Sequence, residues 1–152
     1  MGELVSITVK PEGVEPPERA YLRLPVETAT LVAGYGIEGD TKGGREDRHL
    51  NILCSESLQE LTVDGYLTKP GQIGEQLIIK GVPAERIENG AVLQIGPEAR
   101  VRMVQPRTGC DRFEKYQSKS REGAAGRLGM MAQVETGGSI RVGDPVLLVE
   151  SG

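Results

Sequence analysis

A cysteine three residues past an arginine closes the segment Gln105-Pro106-Arg107-Thr108-Gly109-Cys110. It is one of only two cysteines in the chain. A thiol reacts as the thiolate, and a nearby guanidinium favours that anion electrostatically. The segment follows a predicted strand, Arg100 to Val104, so Cys110 falls on a turn, where a side chain is more reachable than within a strand. A second reading is structural: free cysteine is among the most buried residue types and fills gaps as a small apolar group. The segment by itself leaves both readings open.

The other side chains with chemistry in them are scattered. Lys42, Arg45 and Arg48 form a basic cluster in a long glycine-rich loop, partly neutralised by Glu46 and Asp47. Such a mixed run is usually a solvated face, and it becomes an anion site only where the fold brings it to Arg107. His49, the only histidine, stands at a strand start, either as a structural hydrogen-bonding residue or as a proton carrier. Glu75, between Gly74 and an apolar run, is the carboxylate best placed for use at a strand entrance, with a turn cap as the alternative. Asp40 ends Gly36-Ile37-Glu38-Gly39-Asp40, where glycines supply positive φ and the aspartate caps backbone amides. No helix follows, which argues against a phosphate loop. Cys54, at the end of an apolar run, reads as core. One histidine and no nucleophile elbow leave no Ser-His-Asp arrangement, and two cysteines with one histidine lack zinc-finger spacing.

Short strands must position these groups. Leu4 to Lys10 alternates apolar Val5, Ile7 and Val9 with Ser6 and Thr8, the pattern of a half-buried strand. Pro11 to Arg19 reads as an exposed, turn-rich loop, and Tyr21 to Val32 as one or two extended pieces interrupted by Pro25. Gly34 to Arg48 is a long aperiodic loop, functional or mobile. His49 to Cys54 is a strand, and Ser55 caps a short helix through Leu61. Gly71 to Gly74 is a turn before a strand from Gln76 to Lys80. Val92 to Ile95 and Arg100 to Val104 are strands around Gly96-Pro97, and Asp111 to Tyr116 forms a helical turn. Lys119 to Gly129 is polar, glycine-rich and expected to be mobile. Met130 to Glu135 and Ser139 to Val142 form a hairpin across Gly137-Gly138, and Val146 to Val149 closes the fold.

Composition agrees with that pattern. The chain has 21 Gly and 9 Pro, no Trp, one Phe and four Tyr, so its core is built from aliphatic residues between many tight turns. Many short strands with one or two short helices predict a mainly β, β-rich α+β fold, a closed or partly open β-barrel in a single domain over residues 1–152. A net charge of −4 argues against nucleic acid held by its backbone, while leaving room for local binding of a small anion. No apolar run approaches the roughly 20 residues needed to cross a bilayer. The N-terminus lacks a basic-then-apolar signal pattern. The expected location is cytoplasmic, with both cysteines reduced.

Taken in order, four segments of the chain resemble the MOSC domain, named for the C-terminal domain of molybdenum cofactor sulfurases. The first is Gly36-Ile37-Glu38-Gly39-Asp40, then Arg48-His49-Leu50-Asn51-Ile52-Leu53 with Glu56 and Leu61. The second is Pro70-Gly71-Gln72-Ile73-Gly74-Glu75-Gln76-Leu77, leading to Gly81. The third is Gly90-Ala91-Val92-Leu93-Gln94-Ile95-Gly96 and Val104 to Cys110. The fourth is Gly126 to Gly129, then Gly137-Gly138 through Val142-Gly143-Asp144-Pro145-Val146. The chain reads Gly39-Asp40-Thr41-Lys42 where many relatives have Gly-Asp-x-His. It has Gln76 where asparagine is more usual, and Gly109 where proline often precedes the cysteine, a change expected to loosen that loop.

The resemblance implies a barrel-like β fold with Cys110 as the family's signature cysteine, a sulfur carrier in some members and a molybdenum ligand in others. On this reading the chain is a stand-alone member. It lacks the cofactor-enclosing N-terminal domain of the molybdenum-dependent reductases. It also lacks the aminotransferase-like domain that makes the sulfurases a pyridoxal phosphate-linked family. The function so implied is sulfur transfer, in the manner of a sulfurtransferase. Cys110 would take sulfur from a cysteine desulfurase as a persulfide and deliver it to the molybdenum cofactor or another small anionic acceptor such as molybdopterin. Arg107 would steady the thiolate, Glu75 or His49 would move a proton, and Lys42, Arg48 and Arg127, with Asp40 nearby, would bind the acceptor. The alternatives are a molybdenum-cofactor-binding reductase domain with Cys110 on the metal, and a non-catalytic binding module with a buried cysteine.

Overall fold

The computed structural model describes residues 2–13, 23–45, 48–84 and 87–151. Most of the expected loop from Pro11 to Arg19, the start of the stretch at Tyr21, and Glu46 with Asp47 lie outside the described residues.

Seven strands close a barrel. In barrel order they are β1 (Gly2–Val9), β6 (Leu77–Lys80), β5 (Leu50–Cys54), β9 (Met130–Thr136), β8 (Ala99–Pro106), β7 (Ala91–Ile95) and β11 (Pro145–Ser151). The seam is the pairing of β11 with β1 at Gly2–Val146. Closure leaves no free edge between first and last strands, which is how a sheet of this size avoids edge pairing with other chains. An eighth strand, β2 (Leu24–Val26), adds to β1 outside the ring. Pro25 sits on this edge strand, where its missing N–H costs no ladder bond. A separate three-stranded sheet joins β3 (Thr28–Val32), β4 (Gly36–Ile37) and β10 (Gly138–Arg141).

The β-rich expectation holds, with local differences that have physical causes. In β1 a register shift between Leu4 and Ser6 breaks the simple alternation. Leu4 and Ile7 therefore point into the core while Val5 is exposed, and Thr8 is buried with its hydroxyl donating to the Glu75 carbonyl at 2.7 Å. A bulge of this kind shifts the phase of every later side chain. The strands on either side of Gly137 do not form a hairpin. Residue β9 partners lie in the barrel, whereas β10 pairs with β3. Gly137 allows the corner, since a Cβ there would stand 2.6 Å from the Leu31 carbonyl oxygen.

Two helices pack over one side of the barrel. Cys54 rather than Ser55 takes the N-cap position of α1 (Ser55–Val63), without a side-chain cap hydrogen bond, and α2 (Asp111–Gln117) follows Cys110. They form a second apolar cluster in which Leu53 and Ile78, facing out of the barrel, meet Leu58, Leu61 and Phe113. The Lys119 to Gly129 stretch belongs to this cluster. It holds a 3-10 turn at Arg121–Ala124, and Ala124 and Leu128 are buried there. Apolar anchoring of two side chains makes it an ordered cover rather than the expected mobile segment.

Candidate functional site

β8 delivers Arg107 and Cys110 to one place. The Arg107 N–H donates to the Gly129 carbonyl at 2.9 Å as the strand ends, and its buried guanidinium donates to the Ile73 carbonyl at 2.5 Å. Cys110 then takes an extended conformation at the N-cap of α2, and its carbonyl accepts the Glu114 N–H at 3.1 Å. Its side chain makes no cap hydrogen bond, and the residue is exposed. The thiol is therefore left available for chemistry.

Around it lies a cleft of about 170 Å³ whose lining is overwhelmingly cationic. The loop after β4 contributes Lys42, Arg45 and Arg48. The end of β1 contributes Lys10, the entry to β2 contributes Arg23, and Arg107 and Arg112 flank Cys110. Gly74 and Thr108 complete it, so the described lining contains no carboxylate. The loop that reads in sequence as a solvated face is instead folded back. Thr41 N–H donates to the Lys10 carbonyl at 2.9 Å, and Gly44 N–H to the Tyr35 carbonyl at 2.7 Å.

Electrostatic crowding follows. Burial, and then the guanidinium groups of Arg107, Arg45 and Arg23, push the Arg48 guanidinium below its ordinary range, while Cys110 pulls it upward. Burial also pushes the Lys42 amine down, helped by Lys10, Arg112, Arg45 and Arg23. Guanidinium keeps its proton regardless. The cost of crowding is relieved when an anion enters, and this is the condition for anion binding.

Beneath the cleft is a buried polar layer. Asp40 accepts the Lys10 N–H at 3.0 Å and the Gln76 Nε2 at 3.2 Å, and sits 3.9 Å from Arg23 Nη1. It holds the cations in place and does not line the cleft itself. Gln76 passes the network on, accepting the Asn51 N–H at 2.7 Å. The longer glutamine reaches the Asp40 carboxylate and strand β5 at once. Glu75 accepts the Gly71 N–H through Oε2, as a turn cap does, while its buried Oε1 has no hydrogen-bond partner among the described residues. Burial pushes its carboxyl upward, against the pull of the Gly71 amide and of Arg23 and Arg107. A proton can therefore reside on Glu75 at this floor.

Two sequence candidates lie elsewhere. His49 is buried, and its Nδ1 accepts the Val134 N–H at 2.9 Å. That acceptor role places the ring proton on Nε2 and commits the ring to holding β9; His49 does not line the cleft. Arg127 lines a different cleft together with Cys54, and pairs with Asp64 at 2.8 Å and Glu60 at 3.8 Å. Its charge is already balanced, so it is not part of the Cys110 site. Lys10, Arg23 and Arg112 escaped the sequence reading. Arg112, two residues past Cys110, had a local signal, but Lys10 and Arg23 become neighbours only when β1 and β2 pair.

The chain matches the MOSC domain over residues 39–147, a span that includes the loop bearing Lys42 and Arg48 and the turn bearing Cys110. It belongs to the MOSC domain family. Solved structures agree on the fold. YiiM from Geobacillus stearothermophilus has 25% identity and a TM-score of 0.75, covering 99% of this chain and 76% of that one. YuaD from Bacillus subtilis has 17% identity and a TM-score of 0.74, covering 96% and 94%. YiiM from Escherichia coli has 20% identity and a TM-score of 0.70, covering 97% and 69%. No curated protein matches the sequence.

MOSC domains are associated with the molybdenum cofactor and its sulfuration, and the donor set suits such a phosphate-bearing group. The cationic cleft matches its anionic end, and Cys110 stands in the same lining. The cleft is smaller than the roughly 300 Å³ typical of pockets that enclose a drug-sized ligand, so the residues would hold the anionic end rather than surround the whole. In this MOSC domain Gly109 is tightly placed. A Cβ there would stand 2.7 Å from the Arg121 Cβ, and the Arg121 guanidinium donates to the Gly109 carbonyl at 3.1 Å and to Asp111 at 2.6 Å. The glycine thus fits a clamp on the cysteine turn and does not loosen it. Among the described residues no helix is long and apolar enough to cross a membrane.

Proposed function

We propose that this MOSC domain is a sulfur carrier of the sulfurtransferase type, with Cys110 as the carrying thiol and the cationic cleft as the seat of an anionic acceptor. The observation that supports the reading is the exposed Cys110 thiol in one cleft with Arg48, Arg107 and Lys42. In the loading step the Cys110 thiolate attacks the outer sulfur of a persulfide on a donor such as a cysteine desulfurase. A new S–S bond forms at Sγ, the donor S–S bond breaks, and the donor leaves as a thiolate. In the second step a nucleophilic acceptor takes the outer sulfur and Cys110 leaves as the thiolate. Where the acceptor is a thiolate, the sulfur stays at the sulfane level and no external oxidant or reductant is consumed.

The residues divide the work. Arg48 and Arg107 orient the anionic end of the acceptor beside Cys110. Glu75, buried beneath the cleft with its carboxyl pushed upward by burial, is the group placed to exchange a proton there. Where the molybdenum cofactor is the acceptor, its metal would supply the position that receives sulfur, and a thiol reductant would supply the two electrons that take the sulfane sulfur to sulfide.

Mass spectrometry after incubation with a cysteine desulfurase and cysteine tests this. An adduct of about 32 Da, one sulfur, is expected on Cys110. An adduct that persists in Cys110→Ala and vanishes in Cys54→Ala would falsify the assignment. Stoichiometric molybdenum in protein from a cofactor-competent host, lost in Cys110→Ala and without any persulfide, would replace the carrier with a metal ligand.

A further inference from the structure

Among the cations of the cleft, Lys42 is chemically different from the guanidinium groups. It is half-buried on a turn pinned on both sides, by Thr41 N–H to the Lys10 carbonyl and by Gly43 N–H to the Asp40 carbonyl at 3.4 Å. Gly43 secures the turn, because a Cβ there would stand 2.6 Å from the Tyr35 carbonyl oxygen. The amine is therefore presented from a fixed backbone. Among the described residues, the charged groups that act on it are positive: Lys10 from the end of β1, Arg112 from α2, Arg45 from its own loop and Arg23 from the approach to β2. Among the described residues no carboxylate pairs with it.

We propose that Lys42 is a carbonyl-reactive amine, forming a Schiff base with a small anionic aldehyde or ketone whose charge is held by the arginines of the cleft. Partial desolvation and a ring of like charges are what convert a lysine from a fixed cation into a nucleophile. Arginine cannot serve, because its guanidinium does not release its proton. The step balances without an added reagent. The neutral Nζ adds to the carbonyl carbon, proton transfer gives the carbinolamine, and loss of water gives the imine, which water reverses. Selectivity comes from the fixed guanidinium groups, which draw an anionic carbonyl compound to the amine and give a neutral one no advantage. The inference uses the cleft but not the thiol, and so goes beyond sulfur carriage.

Pyridoxal 5′-phosphate and pyridoxal form a matched pair of probes, an aldehyde with and without phosphate. The protein is treated with each, reduced with borohydride and mapped by peptide mass spectrometry. The phosphorylated probe is expected to modify Lys42 at least about ten-fold faster than exposed lysines such as Lys80 and Lys115. Inorganic phosphate should slow that reaction, and pyridoxal should show no such preference. Modification spread evenly over the lysines, or centred on Lys10, overturns the proposal. So does a Lys42 rate that is insensitive to phosphate. The wild-type map decides these outcomes even if Lys42→Arg fails to fold. Where that variant folds, it must lose the selective adduct. Cys110→Ala must keep it, so failure here is distinguishable from failure of the persulfide reading.

Discussion

Gly109 and Arg121 occupy one another's space: the position of a Cβ on Gly109 is 2.7 Å from the Arg121 Cβ, and the Arg121 guanidinium closes on the Gly109 carbonyl at 3.1 Å. The same guanidinium reaches Asp111 and Glu114, so it spans both sides of Cys110. Gly109→Ala should therefore overpack the turn and cost about 1–3 kcal/mol. Arg121→Gly removes the Cβ that the new methyl would meet. The double variant should be more stable than the sum of the singles by at least about 0.5 kcal/mol, measured by urea unfolding. Simple additivity would show that the two residues do not share the space.

The two cysteines both precede helices, yet only one is open to solvent. Cys54 is 3% exposed and lies 3.3 Å from the Ser57 hydroxyl, whereas Cys110 is exposed. Iodoacetamide should label Cys110 in the native protein at least about ten-fold faster than Cys54, which reacts only through local opening. The difference should vanish in denaturant. Equal native rates would return Cys110 to the status of an ordinary core thiol.

Local signals in the sequence explain what could be read from it. Glycine turns between short aliphatic strands point to a barrel, and Cys110 is marked by its turn and its arginine. Long-range register is less legible. The bulge between Leu4 and Ser6 reverses the inward face of β1, and the corner at Gly137 sends β10 to β3. Neither leaves a periodic trace. Lys10 and Arg23 join the cleft through strand pairing, and Arg127 leaves the candidate set because Glu60 in α1 and Asp64 at its C-cap pair with it.

A cleft crowded with cations should be stabilised by an added anion, since ligand that binds only the folded state raises its stability by mass action. At phosphate a hundred-fold above its Kd the gain is about 2.7 kcal/mol. For a domain of this size that corresponds to roughly 5–11 °C in melting temperature. Arg48→Ala should abolish most of the shift, and Arg127→Ala, in the other cleft, should leave it intact. A shift of the same size from chloride at matched ionic strength would mark it as general screening.

His49 and Glu75 should make opposite contributions to stability as pH changes. Burial lowers the His49 pKa in the folded protein, so the unfolded chain takes up a proton first as pH falls below about 6.5, and stability is lost in that direction. Burial raises the Glu75 pKa, so the folded protein holds a proton that the unfolded chain has released above the ordinary value of 4.5. Its contribution is therefore complete below 4.5 and is lost as pH rises through the folded value. Urea midpoints between pH 5 and 8 should separate the two. His49→Gln should flatten the loss on the acid side, and Glu75→Gln should remove the loss on the alkaline side. His49→Ala leaves the Val134 N–H unpaired and should cost about 1–3 kcal/mol at neutral pH. If Glu75→Gln leaves the alkaline loss unchanged, the folded protein holds no extra proton on Glu75 between pH 5 and 8.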